Sequence, residues 1–248
     1  MKRLWLICLV MLAFCVCGCG SKEVTQKEVQ EHKVAYEVID EGGRKHIFDE
    51  KPQRIVSLSY GTDEILTELV DAKRIASYCR WAEDPGITFI TKEQYKKVGR
   101  KTDGNAEEVL ALKPDLVLAT TAMSSDIINA LDALGLKVYL ASRPKNYEQM
   151  RQKVLKLGEA VGEKAKGEAL VRRMDERMDK LEAKLSQIPD SKRKTVVAFN
   201  FLSAMGRKGD LIDSMMNKAH IINGVAQILP PHLQCDGSLH NDTCPKQI

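Results

Sequence analysis

The stretch NYEQMRQKVLKLGEAVGEKAKGEALVRRMDERMDKLEAKLSQIP, Asn146 to Pro189, decides how the chain is organised. It holds no proline before its last residue, carries charge on nearly every turn, and opens with Asn146 and Gln149 at capping-box spacing, all of which predict helix. Met150, Val154, Leu157 and Val161 form one apolar stripe; Leu170, Met174, Met178, Leu181 and Leu185 form a second. Both suit a helix lying against a core. Gly158, Gly162 and Gly167 fall between or beside the stripes, and each costs a helix interior about 0.5 to 1 kcal/mol relative to alanine. The break is placed at Gly162, dividing the stretch into a helix from Tyr147 to about Val161 and a second from Glu163 to about Gln187. Glu168 with Arg172 and Glu176 with Lys180 have the i,i+4 orientation that adds about 0.2 to 0.5 kcal/mol per pair. A coiled coil would need about three or four heptads, which the second stripe does not sustain.

Upstream of this stretch the chain alternates strand and helix. Val34 to Phe48 reads as a hairpin around Glu41-Gly42-Gly43-Arg44, outside the main sheet. Arg54 to Ser59 is an apolar, β-branched strand, and Thr62 to Val70 a helix capped by Thr62 or Asp63. Arg74 to Tyr78 is the next strand, followed by a long loop. Asn105 and Glu108 form a capping box for a helix to Leu112, which Pro114 ends. Asp115 to Ala119 and Lys137 to Leu140 are further strands, separated by a helix that Ser124 or Ser125 caps and Gly135 stops. This spacing predicts a mostly parallel sheet with helices on its faces. Downstream, Thr195 to Phe199 reads as a buried-type strand and Asp210 caps a helix to about Ala219. From Ile228 the periodic pattern stops. Residues 194–248 are 55 in number, about half of what an independent α/β lobe usually needs, so the second lobe is expected to be incomplete.

The full composition is that of an ordinary folded chain: 248 residues, 44% hydrophobic, 29% charged. The formal charge of +4 includes Lys2 and Arg3 of a leader, leaving too little to suggest nucleic acid. Residues 1–18 read as a secretory signal, with a basic start, the short apolar run Leu4 to Phe14 and small residues after it. Val16-Cys17-Gly18-Cys19 resembles the lipobox of bacterial lipoproteins, with Val and Cys where Leu and Ala or Ser are commoner. That resemblance makes Cys19 the lipidation site and residues 19–35 a tether; plain cleavage without lipid is the alternative. Two or more acyl chains would hold the protein to a membrane stably. Of seven cysteines, only Cys79, Cys235 and Cys244 lie beyond the leader and its lipobox. A Cys235–Cys244 bridge is weakly supported, and Cys79 reads as a small buried hydrophobe.

Three stretches resemble one family. Arg54-Ile55-Val56-Ser57-Leu58-Ser59 with Thr62-Asp63-Glu64-Ile65-Leu66 resembles the first strand and helix of the ferric-siderophore and cobalamin binding proteins of ABC importers. Asn105-Ala106-Glu107-Glu108-Val109-Leu110-Ala111-Leu112-Lys113-Pro114-Asp115-Leu116-Val117 resembles their strongest signature. Leu134-Gly135-Leu136-Lys137-Val138 and the helical stretch are similar as well, so that the match runs from about Tyr36 to Asn223. The resemblance implies an α/β fold of two Rossmann-like lobes bridged by a long, rigid helix: an N-terminal lobe at 36–146, a connector at 147–188 and a partial second lobe at 194–248. It implies a ligand held between the lobes, a ferric siderophore or a related corrinoid or haem, delivered to ABC permease subunits from outside the membrane. It also implies an acidic residue on each lobe that docks to permease arginines. Glu107 occupies the first position; the second falls on Asn217, which is not acidic.

A parallel sheet offers its binding groups at the carboxyl ends of its strands. Those ends carry Ser59 and Tyr60, Tyr78 with Arg80 and Trp81, Thr120 and Thr121, Ser142 and Arg143, and beyond the connector Asn200 and Phe201. Aromatic residues make up only 5% of the chain, yet Tyr60, Tyr78 and Trp81 gather here with Arg80 and Arg143. This suits a broad organic ligand with anionic or carbonyl oxygens, with Tyr60 and Trp81 as stacking surfaces; ordinary loop side chains are the bland reading. Glu64 reads as a first-turn acid favoured by the helix dipole, and the same explanation is open to Glu107. His46 and His220 lie far apart without a carboxylate at ligand spacing, so no resident metal or other cofactor is expected. No GxGxxG is present, Gly206-Arg207-Lys208-Gly209 lacks phosphate-loop spacing, and Cys79 has no evident base, which argues against an enzyme. Two further readings stay open: a surface lipoprotein whose helices form a protein-interaction module, and a truncated copy of the binding protein that does not function.

Overall fold

Short apolar strands between helical segments assemble as the alternation predicts. The computed structural model describes residues 36–199 and 203–229. Five parallel strands, β3 (Ile55–Ser57), β4 (Ile75–Cys79), β5 (Lys101–Thr102), β6 (Leu116–Thr120) and β7 (Val138–Ala141), form one sheet in the order β5-β4-β3-β6-β7. Counted within the sheet this is the 3-2-1-4-5 order of a Rossmann half, with its switch point between β3 and β6. A preceding hairpin, β1 (Tyr36–Ile39) and β2 (Lys45–Phe48), pairs only with itself.

Alternation along the strands sorts the side chains into two layers. Ile55, Leu116, Leu118 and Tyr139 face α1 (Tyr60–Leu69), α5 (Tyr147–Ala160) and the start of α6 (Lys164–Leu185). Val56, Val117, Ala119 and Val138 face α3 (Ala106–Ala111) and α4 (Ser125–Ala133). The long loop of the sequence reading contains two elements, α2 (Lys92–Val98) and the edge strand β5. Thr91 and Gln94 complete a reciprocal capping box at the start of α2.

The Lys113-Pro114-Asp115 turn shows why that signature ends a helix and starts a strand. Lys113 takes a positive φ of 50°, and the Asp115 carboxylate accepts the backbone amides of Gln53 and Arg54. The Arg54 guanidinium in turn donates to the carbonyls of Leu112 and Lys113 at the helix end. One turn thereby ties β6 to the start of β3. The hairpin is fastened by Asp40, which is buried and accepts from Arg44, His46 and the amide of Leu140 on β7. Those donors hold its carboxyl below the usual range against the opposing pull of burial.

The connector is two helices that break at Gly162, whose φ is +72°. Gly158 and Gly167 do not break their helices; they let α5 and α6 touch. A Cβ on Gly158 would sit 3.1 Å from the Gly167 Cα, and one on Gly167 3.3 Å from the Gly158 Cα. Val154, Leu157 and Val161 are buried as the first stripe predicts. The second stripe is at most partly buried: Leu170 and Met174 pack on the core at its start, whereas Leu181 is exposed. The Glu168–Arg172 and Glu176–Lys180 pairs do not form among the described residues. Other charges on α6 bind its neighbours instead: Arg151 clasps Asp175 at 2.8 Å and Arg173 reaches Glu68 on α1 at 2.7 Å.

After α6 the described residues form a fragment of an α/β arrangement. β8 (Thr195–Val196) pairs in parallel with β11 (Ile222–Asn223), and β9 (Ala198–Phe199) pairs antiparallel with β10 (Ala204–Met205). Asp210 caps α7 (Leu211–Lys218), and Asn223 caps α8 (Gly224–Ile228). The single buried strand expected at Thr195 to Phe199 is instead two two-residue strands. Val196, Val197 and Phe199 are exposed.

Candidate functional site

The carboxyl ends of the five strands open on one rim. At its centre β3 runs through Ser57 into α1, whose N-cap is Ser59 rather than Thr62 or Asp63. The Ser59 carbonyl accepts the amides of Thr62 and Asp63 at 2.9 Å each, while its hydroxyl makes no cap bond. Thr62 and Asp63 turn inward and are fully buried. Tyr60, the first residue of α1, is half exposed at the rim.

At the end of β4 the sequence reading divides. Trp81 is exposed, and the Arg80 guanidinium lies 4.7 Å from its ring centre. Arg80 also approaches Asp103 at 3.8 Å, so the cation and the indole form one unit at the rim. Tyr78 is a correction: it is 1% exposed and stacks on Tyr95 in the core. An irregularity in the β3–β4 register puts both Ile75 and Tyr78 on the same inward face, so the Tyr78 ring points away from the rim. At the end of β6, Thr120 is nearly buried whereas Thr121 is exposed, its amide bonded to the Ala141 carbonyl. Ser142 and Arg143 follow β7, half-buried and exposed respectively. Asn200, Phe201 and Cys19 lie outside the described residues, as do Cys235 and Cys244.

Several residues beneath or beside the rim escaped the reading of strand ends. Gly104, in the positive-φ region at +84°, lets the loop after β5 cross behind the end of β3, where a Cβ would meet Leu58 and Met123. This loop, the start of α3 and α4 border an open cleft of about 360 Å³ lined by Gly104, Glu107, Asp126 and Ile127 among others. Glu107 is exposed there, in the first turn of α3, with its amide held by the Asn105 side chain. Glu64 is beyond the first turn of α1, so the dipole does not account for it. Its carboxylate accepts from the Thr88 hydroxyl and the Phe89 amide, fastening the loop that follows Trp81.

A buried polar group underlies the rim. One Asp63 oxygen accepts the Cys79 amide at 3.1 Å, and its other oxygen and the Thr62 hydroxyl have no hydrogen-bond partner among the described residues. Burial pushes the Asp63 carboxyl up to about 7 and the Cys79 thiol up to about 12. That thiol is inert as a nucleophile at neutral pH. His46 is taken up by Asp40, and His220 bonds the Ile188 carbonyl. In the second part of the chain, Asn217 donates to Asp213 on α7.

The family model described as "Periplasmic binding protein" matches residues 55–227. The chain belongs to the periplasmic binding protein family. It is 26% identical over 201 residues to "Probable siderophore-binding lipoprotein YfiY" of Bacillus subtilis (strain 168), a match covering 80% of this chain and 59% of that one. To "Fe(3+) dicitrate-binding periplasmic protein FecB" of Escherichia coli (strain K12) it is 28% identical over 175 residues, 66% of this chain and 54% of that one. A solved structure of "a possible an iron-binding (periplasmic solute-binding) protein" from Staphylococcus epidermidis ATCC 12228 superposes with a TM-score of 0.61 at 20% identity. That match covers 73% of this chain and 70% of the other. The chain thus spans somewhat more than half the length of these two relatives. No helix among the described residues is long and apolar enough to cross a membrane.

Proposed function

We propose that this periplasmic binding protein captures a ferric siderophore, or a related corrinoid or haem, outside the membrane and presents it to the permease of an ABC importer. The observation that carries the reading is the rim: half-exposed Tyr60 follows β3, the Arg80–Trp81 pair follows β4, and exposed Thr121 and Arg143 follow β6 and β7. Broad aromatic faces next to guanidinium groups fit a large organic chelate rich in anionic and carbonyl oxygens. The relatives named for siderophore and ferric dicitrate binding support the same ligand class. Iron on this reading arrives already chelated, and the protein binds without chemical turnover. Asn200 and Phe201 are proposed as ligand contacts from the second part of the chain. Glu107, exposed at its cleft, is the proposed contact for permease arginines, and Cys19 the lipid anchor.

Tryptophan emission tests the ligand assignment. The chain has two tryptophans, Trp5 and Trp81, so with Trp5 removed with the leader or replaced by Phe, emission reports Trp81 alone. Ferric siderophores, ferric dicitrate, cobalamin and haem are titrated in turn, and saturable quenching by one class is expected. Flat emission with every chelate would sink the assignment. Cys19→Ala is expected to move the protein from the membrane fraction to the soluble one; retention in the membrane would refute the anchor.

A further inference from the structure

Beneath the rim lies a cation that no described residue neutralises. Lys153, midway along α5, is only 6% exposed, and among the described residues no acceptor or carboxylate pairs with its ammonium. Glu64 acts on it from a distance, but that carboxylate is already engaged by Thr88 and Phe89 at 3.1 and 2.9 Å. Glu41, which lies with Ser142 close to Lys153, is held by Lys156 at 2.6 Å. The Lys153 ammonium stands 3.7 Å from where a Cβ on Gly61 would be.

Gly61 is the second residue of the ten-residue helix α1. The amides of Tyr60 and Gly61 have no acceptor among the described residues, because the Ser59 carbonyl serves Thr62 and Asp63 and the Ser59 hydroxyl caps nothing. A helix start carries about half a positive charge and is a natural place for an anion. Here a buried ammonium is added to that charge, so burial, the dipole and the missing counter-ion all act against it. An anion would relieve all three at once. Gly61, lacking a side chain, leaves open the space between the ammonium and the helix start. The place is the end of β3, at the switch point.

We propose that the first turn of α1 and Lys153 form an oxyanion subsite that takes an acidic oxygen, of carboxylate or phosphate type, from the bound solute. The proposal rests on the solute-binding reading above and narrows its ligand class to those with an anionic arm.

The test is stabilisation of the full chain by citrate and by inorganic phosphate, read as the rise in Tm over potassium chloride at matched ionic strength. Wild type is expected to show a saturable rise, and Lys153→Met and Gly61→Ala to weaken anion affinity at least tenfold. Gly61→Ala guards against misfolding of the lysine variant: its methyl meets nothing closer than 3.7 Å and suits a helix, yet fills the space in front of the ammonium. A response to citrate alone identifies a carboxylate, and a response to phosphate alone a phosphate group; either supports the subsite. An anion response kept in both variants, or absent from wild type, overturns it. Trp81 quenching by ferric chelates, followed in parallel, separates the two readings. Quenching without any anion response leaves the solute-binding role standing and removes the subsite. An anion response lost in both variants, with no chelate bound, does the reverse.

Discussion

Asp63 is the residue whose setting departs furthest from its appearance in the sequence. In Thr62-Asp63-Glu64 it reads as a helix cap, but it is fully buried with one oxygen unpaired among the described residues, and its carboxyl is pushed up to about 7 by burial. The folded state therefore holds the Asp63 proton more tightly than the unfolded chain does. Its contribution to stability is fully present below about pH 4 and lost as pH rises to about 7. Asp63→Asn, which keeps an acceptor for the Cys79 amide, is expected to remove that fall. Denaturant melts of the two proteins between pH 4 and 7 should diverge toward neutrality by an amount on the order of 2 to 4 kcal/mol at most, the variant being the more stable; parallel curves would refute the buried acid. Arg74 offers a second residue-scale test. It is buried, pairs with Glu163 at 2.6 Å, and donates to the carbonyls of Pro52 and Val161. Arg74→Ala leaves the Glu163 carboxylate and both carbonyls without that partner, a loss of about 3 to 5 kcal/mol that urea unfolding would read. Neither role was legible locally, since Pro52, Val161 and Cys79 come from other parts of the chain.

At the scale of the element, the α5–α6 pair was the part most open to sequence reasoning. Asn146, the apolar stripe and Gly162 placed both helices and their joint to within a few residues, because caps, periodicity and positive φ are local properties. The function of the other two glycines was not local. Gly158 and Gly167 each read as a weakness in a helix, whereas together they let two backbones meet at 3.1 to 3.3 Å from the place a Cβ would take. Gly158→Ala and Gly167→Ala are expected to force the helices apart at a cost of about 1 to 3 kcal/mol, despite alanine being the better helix former. A thermal melt at or above the wild-type value would refute the close contact. Gly162→Ala should cost a similar amount for another reason, its φ of +72° and a Cβ that would lie 2.6 Å from Lys51 Cγ. The element that was missed, α2, did carry a signal: Thr91 and Gln94 have capping-box spacing, and Ile90 and Tyr95 flank them.

Over the whole molecule, cohesion is uneven. The sheet from β3 to β7 is covered on both faces, with β6 buried throughout. Beyond α6 the described strands are two residues long, and Phe199, Met215 and Ile228 are exposed at 72%, 58% and 80%. Local opening follows burial, so hydrogen exchange should be slow in Leu116–Thr120 and faster by orders of magnitude in Thr195–Phe199. Equal protection in the two segments would show that another surface covers the second. The parallel α/β sheet, the helix pair with its joint and the membership of the family were all determined by the sequence itself, through repeat, caps and the Lys-Pro-Asp turn. The partly exposed Tyr60 and Trp81 were also found there, because strand ends can be counted. Only the tertiary structure decided that Tyr78 is a core residue, that Thr195 to Phe199 is left exposed by the described residues, and that Lys153 faces Gly61 with no counter-ion among them. Each of these depends on what a distant segment does or does not cover, and burial between distant segments leaves no period in the sequence to read.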